Sequence, residues 1–127
     1  MAHRLYQLFF CHYHRGEYWE AHEVLEELWQ MQRHNDFYHG LIQVAAIMHQ
    51  IRRGKVRGAR KLAASAMKYL APFAPEKEGV SVERVLAWLN RCLERLPDGV
   101  EKLEPDDPLL RDIPVCPLPT AQELNSF

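Results

Sequence analysis

The sequence predicts an all-α fold: a compact bundle of about five helices, built from two helix–Gly–helix hairpins plus a closing helix, with an extended Pro-rich C-terminal tail. Three observations predict it. Apolar residues recur at helical spacing through five segments between residues 3 and 96. Glycines at positions 16 and 54 interrupt that pattern where a helix would end. Six of the eight prolines lie between Pro97 and Pro119, where no periodicity survives.

The first helix is expected from about His3 to His14, with Leu5, Tyr6, Phe9, Phe10 and Tyr13 at helical spacing. The second runs from about Glu17 to Met31. Tyr18, Ala21, Val24, Leu25, Leu28 and Trp29 form its apolar face, and Glu20, Glu23 and Glu27 its solvated side. The third runs from about Asp36 to Arg53, with Asn35 or Asp36 as N-cap. It is apolar over most of its circumference, which places it at the centre of the bundle. The fourth, about Lys55 to Leu70, turns Val56, Ala59, Leu62, Ala63, Ala66, Met67, Tyr69 and Leu70 inward. Pro72 and Pro75 make the stretch to Gly79 a loop. Ser81 caps a fifth helix that ends near Leu96. The tail reads as extended or polyproline-like, docked by Ile113, Val115 and Leu118 and fraying over its last few residues.

The chain of 127 residues points to one domain, with the bundle over 1–97 and the tail over 98–127. A net charge of −1 gives no global field toward nucleic acid or a membrane, so a nucleic-acid partner is not expected. Arg52, Arg53, Lys55, Arg57, Arg60 and Lys61 cluster around Gly54 and read as a solvated face, or as a partner for the acidic second helix. Pairing of those two helices between subunits would permit a homodimer. Cys11, Cys92 and Cys116 form no C-x-x-C pair, which fits a reducing, cytoplasmic setting. The apolar start of the chain is broken by Gln7, His12 and His14, so no secretory leader is predicted. No apolar run is long enough to span a membrane.

Gly16 to Leu25 echoes Gly54 to Ala63 at an offset of 38 residues, with Ala21 matching Ala59. The glycine-to-alanine spacing resembles a tetratricopeptide hairpin, although that repeat has a period of about 34 residues and needs about three units.

The chemistry centres on the second and third helices. His22 and Glu26 are four apart, hence neighbours on one helix face, with Trp29 beside them. A carboxylate beside an imidazole fixes its tautomer, raises its basicity or shares a metal with it. Glu26 stands where a zincin helix would carry its second histidine. The pair alone supplies two metal ligands, where zinc takes three or four from protein. Further partners would come from the third helix. His39, Gln43 and Gln50 share a narrow stripe there, while His49 points into the apolar arc near Tyr38, Ile42 and Ala45 as a core histidine. His3, His12, His14 and His34 read as surface or loop residues, and Trp19, Trp29 and Trp88 as core or rim packing. Three readings of His22 and Glu26 stand side by side: a structural hydrogen-bonded pair, part of a pocket for a small molecule or peptide, or ligands for a divalent metal. The leading function is a non-catalytic module that binds a protein, peptide or small molecule in a polar His/Glu/Gln pocket. The alternative is a metal-dependent hydrolase using His22, Glu26 and a third-helix ligand. No phosphate loop, dinucleotide fingerprint or serine nucleophile elbow is found.

These residues carry a family resemblance. His22-x-x-x-Glu26-Glu27-x-Trp29 resembles the H-x-x-x-E-E-x-W signature of the uncharacterised proteins grouped as domain of unknown function 309. Phe37 to Gln43, Ala45 to Gln50, and Gly54 to Ala59 resemble further blocks of that family. The chain departs at His39, where the family pattern has glutamine. The resemblance implies a compact helical bundle with these polar residues gathered between helices. It implies no activity.

Overall fold

A computed structural model describes residues 3–124. Five long helices account for most of it: α1 (Arg4–His14), α2 (Tyr18–Gln30), α3 (Asp36–Arg52), α4 (Val56–Leu70) and α5 (Val82–Arg95). The His3 side chain caps α1 by accepting from the Leu5 N–H at 3.0 Å. Asn35 Oδ1 caps α3 by accepting from the Tyr38 N–H, and Ser81 Oγ caps α5 by accepting from the Arg84 N–H. Tyr6, Phe9, Phe10 and Tyr13 of α1 are all buried. So are ten of the residues of α3, which makes it the central rod. Gly40 lets α4 lie close against it, because a Cβ there would stand 2.5 Å from Leu70 Cγ.

The two hairpins repeat one another hydrogen bond by hydrogen bond. In the first turn the N–H groups of Arg15, Gly16 and Glu17 donate to the carbonyls of His12, Tyr13 and His12. In the second, those of Arg53, Gly54 and Lys55 donate to Gln50, Ile51 and Gln50, each partner 38 positions on. Gly16 and Gly54 adopt positive φ, +76° and +72°, the left-handed region that closes a helix. Ala21 and Ala59 are both fully buried.

Residue 60 stands in the second hairpin where His22 stands in the first. Its side chain does not join a solvated basic face. Arg60 Nη1 donates to the Leu93 and Leu96 carbonyls at 2.8 and 2.6 Å, closing the C-terminal end of α5. Arg52 stays exposed, with its guanidinium 4.8 Å above the Tyr18 ring.

The predicted loop after α4 contains more order than expected. A 3-10 turn (Ala71–Phe73) leads to a small antiparallel hairpin of β1 (Glu76–Lys77) and β2 (Val80–Ser81). Glu78 and Gly79 turn it with positive φ, the pair that a two-residue hairpin requires. Tyr6 Oη donates to the Glu78 carbonyl at 2.8 Å and ties the hairpin to α1.

The tail is not uniformly extended, since α6 (Pro108–Arg111) and α7 (Ala121–Leu124) interrupt it. Leu103 N–H donates to the Gly54 carbonyl, and Arg57 N–H to that of Glu101, so the tail crosses the second turn. Further on, Trp88 Nε1 donates to the Pro114 carbonyl at 2.7 Å and Tyr13 Oη to that of Cys116 at 2.9 Å. Ile113 and Leu118 are buried as expected, but Val115 is 50% exposed. Ile113 lies at a bend; along the extended chain after it side chains alternate, so Cys116 and Leu118 turn inward and Val115 outward. His14, read as a surface residue, holds the Leu118 and Pro119 carbonyls through Nε2. The fraying expected at the end falls partly on 125–127, outside the described residues.

Candidate functional site

Helices α2 and α3 are joined by a short loop and run antiparallel, and aromatic pairs set their register. Trp19 meets His49 at 5.3 Å between ring centroids, and Trp29 meets His39 at 4.6 Å. Between those two contacts the facing side chains are short or polar, and a cleft of about 220 Å³ opens. Its walls carry His22, Glu26 and Trp29 from α2 and His39 and Gln43 from α3. Ile42, Ala46 and the α4 residue Leu62 complete an apolar floor.

Five of the seven residues singled out from the sequence therefore meet in one place. The other two do not. Gln50 lies seven residues beyond Gln43, about 10 Å further along α3. Its side chain faces Gly58, on a separate surface depression with Lys55 and Lys61. His49 is not a core histidine. It is half-buried, its ring tilts against Trp19, and its Nε2 faces Arg53 Nη1 at 3.5 Å. The antiparallel register explains both: position 49 falls opposite position 19, at the very start of α2.

His22 and Glu26 turn toward α3. The His22 side chain is 19% exposed and that of Glu26 43%, with Nδ1 and Oε2 3.6 Å apart. That separation is too long for a hydrogen bond. His22 also stacks on the exposed Trp19, ring centroids 4.7 Å apart and planes 7° from parallel. Burial lowers the His22 pKa below its ordinary value, against the opposing pull of Glu26 and Glu23. The neutral imidazole is thus favoured at neutral pH. His49 shifts the same way, from burial first and then from Arg53.

The far wall is aromatic. His39 stands between Trp29 and Tyr69, stacked on Tyr69 at 4.3 Å. Tyr69 was legible as an inward residue of α4, but nothing in the sequence marked it as the backing for His39. Three buried atoms of these lining residues have no hydrogen-bond partner among the described residues: His22 Nδ1, Trp29 Nε1 and Gln43 Oε1. An unsatisfied buried polar atom costs about 1–3 kcal/mol, so three around one cleft are a concentrated expense. Among the described residues no group of three or more His, Cys, Asp or Glu side chains converges to hold a metal ion. No helix of the described residues is long and apolar enough to cross a membrane.

Comparison with known proteins shows what this stretch of chain resembles. The family model described as Domain of unknown function (DUF309) matches residues 6–62. A relative from Aquifex aeolicus (strain VF5), described as an uncharacterized protein, is 26% identical over 81 residues, 61% of this chain. The chain spans only 24% of that relative's length. No solved structure matches this chain. Every residue lining the cleft lies within the matched segment. Residues 6–62, and the cleft they enclose, are similar to the domain of unknown function 309 family.

Proposed function

We propose that this chain is a non-catalytic binding module whose ligand enters the cleft between α2 and α3. One observation carries the reading: His22 Nδ1, Trp29 Nε1 and Gln43 Oε1 are buried on residues lining one cavity and have no hydrogen-bond partner among the described residues. A ligand with hydrogen-bonding groups of its own would satisfy all three. The volume, about 220 Å³, is below the roughly 300–1,000 Å³ of drug-sized sites. It suits a small molecule or a single side chain of a partner peptide. The Aquifex relative supports a module, because the match occupies a minor part of a longer chain. The duplicated hairpins suit the same role, since tetratricopeptide-like pairs present grooves between helices. We place the protein in the cytoplasm, where its three free thiols would stay reduced. Pairing of acidic α2 with basic α4 across two copies remains our basis for a homodimer.

A metal-dependent hydrolase built on His22 and Glu26 would need a third ligand from α3. The side chains α3 offers there are Gln43 and His39, and His39 is held in its aromatic stack. The donor set therefore favours binding without a metal.

Nitrogen-15 NMR against a fragment library tests the proposal. Ligands should move the Trp29 indole N–H resonance, and His22→Ala or Gln43→Ala should weaken them while the variants stay folded. The reading fails if fragments shift other surfaces and leave that indole untouched.

A further inference from the structure

We propose that the cleft selects a ligand bearing a single N–H-rich cation, a primary ammonium or a guanidinium. This rests on the reading of the cleft as a binding site, and it follows from an inventory of what the walls present. Glu26 is the one carboxylate among the lining residues, and neither lysine nor arginine is among them. The histidine beside it is held neutral by burial. Glu26 is therefore the one fixed formal charge on the walls, and it is negative.

The hydrogen-bonding groups point the same way. Glu26 and Gln43 Oε1 accept, and His22 Nδ1 is the third free site. His22 Nδ1 and Glu26 Oε2 face one another 3.6 Å apart, a gap that an N–H group lodged beside both would bridge. An ammonium has three donors and no acceptor, and a guanidinium five donors in a flat fork. Either would meet every acceptor without leaving a lone pair of its own buried. An anion would meet one neutral donor, Trp29 Nε1, and the repulsion of Glu26. A neutral ligand would leave the carboxylate without a counter-charge.

The aromatic wall adds to this. Trp29 and His39 lie side by side with centroids 4.6 Å apart, and an indole is the side chain whose face attracts cations most strongly. Outside the mouth, Glu23 and Glu27 are exposed on α2 and extend the negative potential toward solvent. The cavity has room for a head group and its last methylenes. The cation would come from a free amine or from a basic side chain of a polypeptide. In the second case Trp29 Nε1–H has an acceptor available in a peptide carbonyl.

Four matched probes test this by NMR titration of the full chain: n-butylammonium, n-propylguanidinium, its neutral isostere n-propylurea, and butyrate. The two cations should shift the Trp29 indole and Gln43 side-chain amide resonances. n-Propylurea should bind about tenfold more weakly, and butyrate should leave the cleft unmoved. Glu26→Gln should weaken the cations by about three- to tenfold and leave n-propylurea unchanged, and raising the ionic strength should weaken the cations in the unsubstituted protein. If Nα-acetyl-lysine N-methylamide binds more tightly than n-butylammonium, the source is a polypeptide; equal binding points to a free amine. Should n-propylurea bind as well as n-propylguanidinium, or Glu26→Gln change nothing, the cationic selectivity is wrong while the cleft remains a binding site. Should no probe move the cleft resonances, the inference is overturned, and the fragment screen alone decides the broader reading.

Discussion

The two turn glycines form a matched pair, and they make a quantitative prediction. Gly16 and Gly54 have nearly the same φ, +76° and +72°, in turns with the same hydrogen bonds. Holding alanine in the left-handed region costs about 1–2 kcal/mol, and Gly16→Ala and Gly54→Ala share that cost. Their surroundings differ. A Cβ on Gly16 would meet Arg52 guanidinium atoms at 3.3–3.4 Å, the far end of a flexible side chain. A Cβ on Gly54 would stand 2.0 Å from the Leu103 carbonyl oxygen, which is backbone. The tail must then lift from the turn and lose the Leu103-to-Gly54 and Arg57-to-Glu101 hydrogen bonds. At about 0.5–1.5 kcal/mol each, these raise the cost of Gly54→Ala to about 2–5 kcal/mol. Urea denaturation of both variants measures the difference by linear extrapolation. Hydrogen exchange should show the Leu103 amide losing protection in Gly54→Ala and keeping it in Gly16→Ala. Equal destabilisation of the two variants, within about 0.5 kcal/mol, would refute the reasoning.

Two further predictions concern acid and the tail. Because the folded pKa of His22 lies below its ordinary value of 6.5, the native state binds fewer protons than the unfolded chain, and stability falls as the pH drops below about 6.5 toward the lower folded pKa. His22→Gln should flatten that fall between about pH 7 and pH 5, and denaturation curves of the two proteins that stay parallel over this range would count against it. Trp88→Phe removes the hydrogen bond to Pro114 and should cost about 1–3 kcal/mol, with alkylation at buried Cys116 accelerating by mass spectrometry; a Cys116 that stays as protected as in the parent protein would show that the tail is held by other contacts.

The five long helices were legible because their signals are local. Gly16 and Gly54 end helices by their own backbone preference, and Asn35 and Ser81 start them by capping. The alternation of polar and apolar residues along α2 needed nothing from the rest of the chain. What depends on register was not legible. His49 has neighbours at helical spacing that are apolar, so it read as a core residue; which side of α3 meets Trp19 is fixed only when α2 packs against it. Gln50 shares a stripe with Gln43 yet lies past the start of α2, beyond the reach of the cleft. Arg60 looked like one charge among six, because its carbonyl partners lie 33 and 36 residues away, at the C-terminal end of α5 and just past it. His22, Glu26, Trp29, His39 and Gln43 converge because all five sit on the stretches of α2 and α3 that overlap.

The correspondence between His22 and Arg60 bears on how such a site arises. Both occupy one slot of a duplicated frame, at the seam between a hairpin and the helix that follows it. In the later copy an arginine seals that seam by gripping spent carbonyls at a helix end, and architecture claims the position entirely. In the earlier copy a shorter, neutral ring leaves the seam ajar. A scaffold written twice thus keeps itself shut with one version of a residue and sets the other version beside an open cleft.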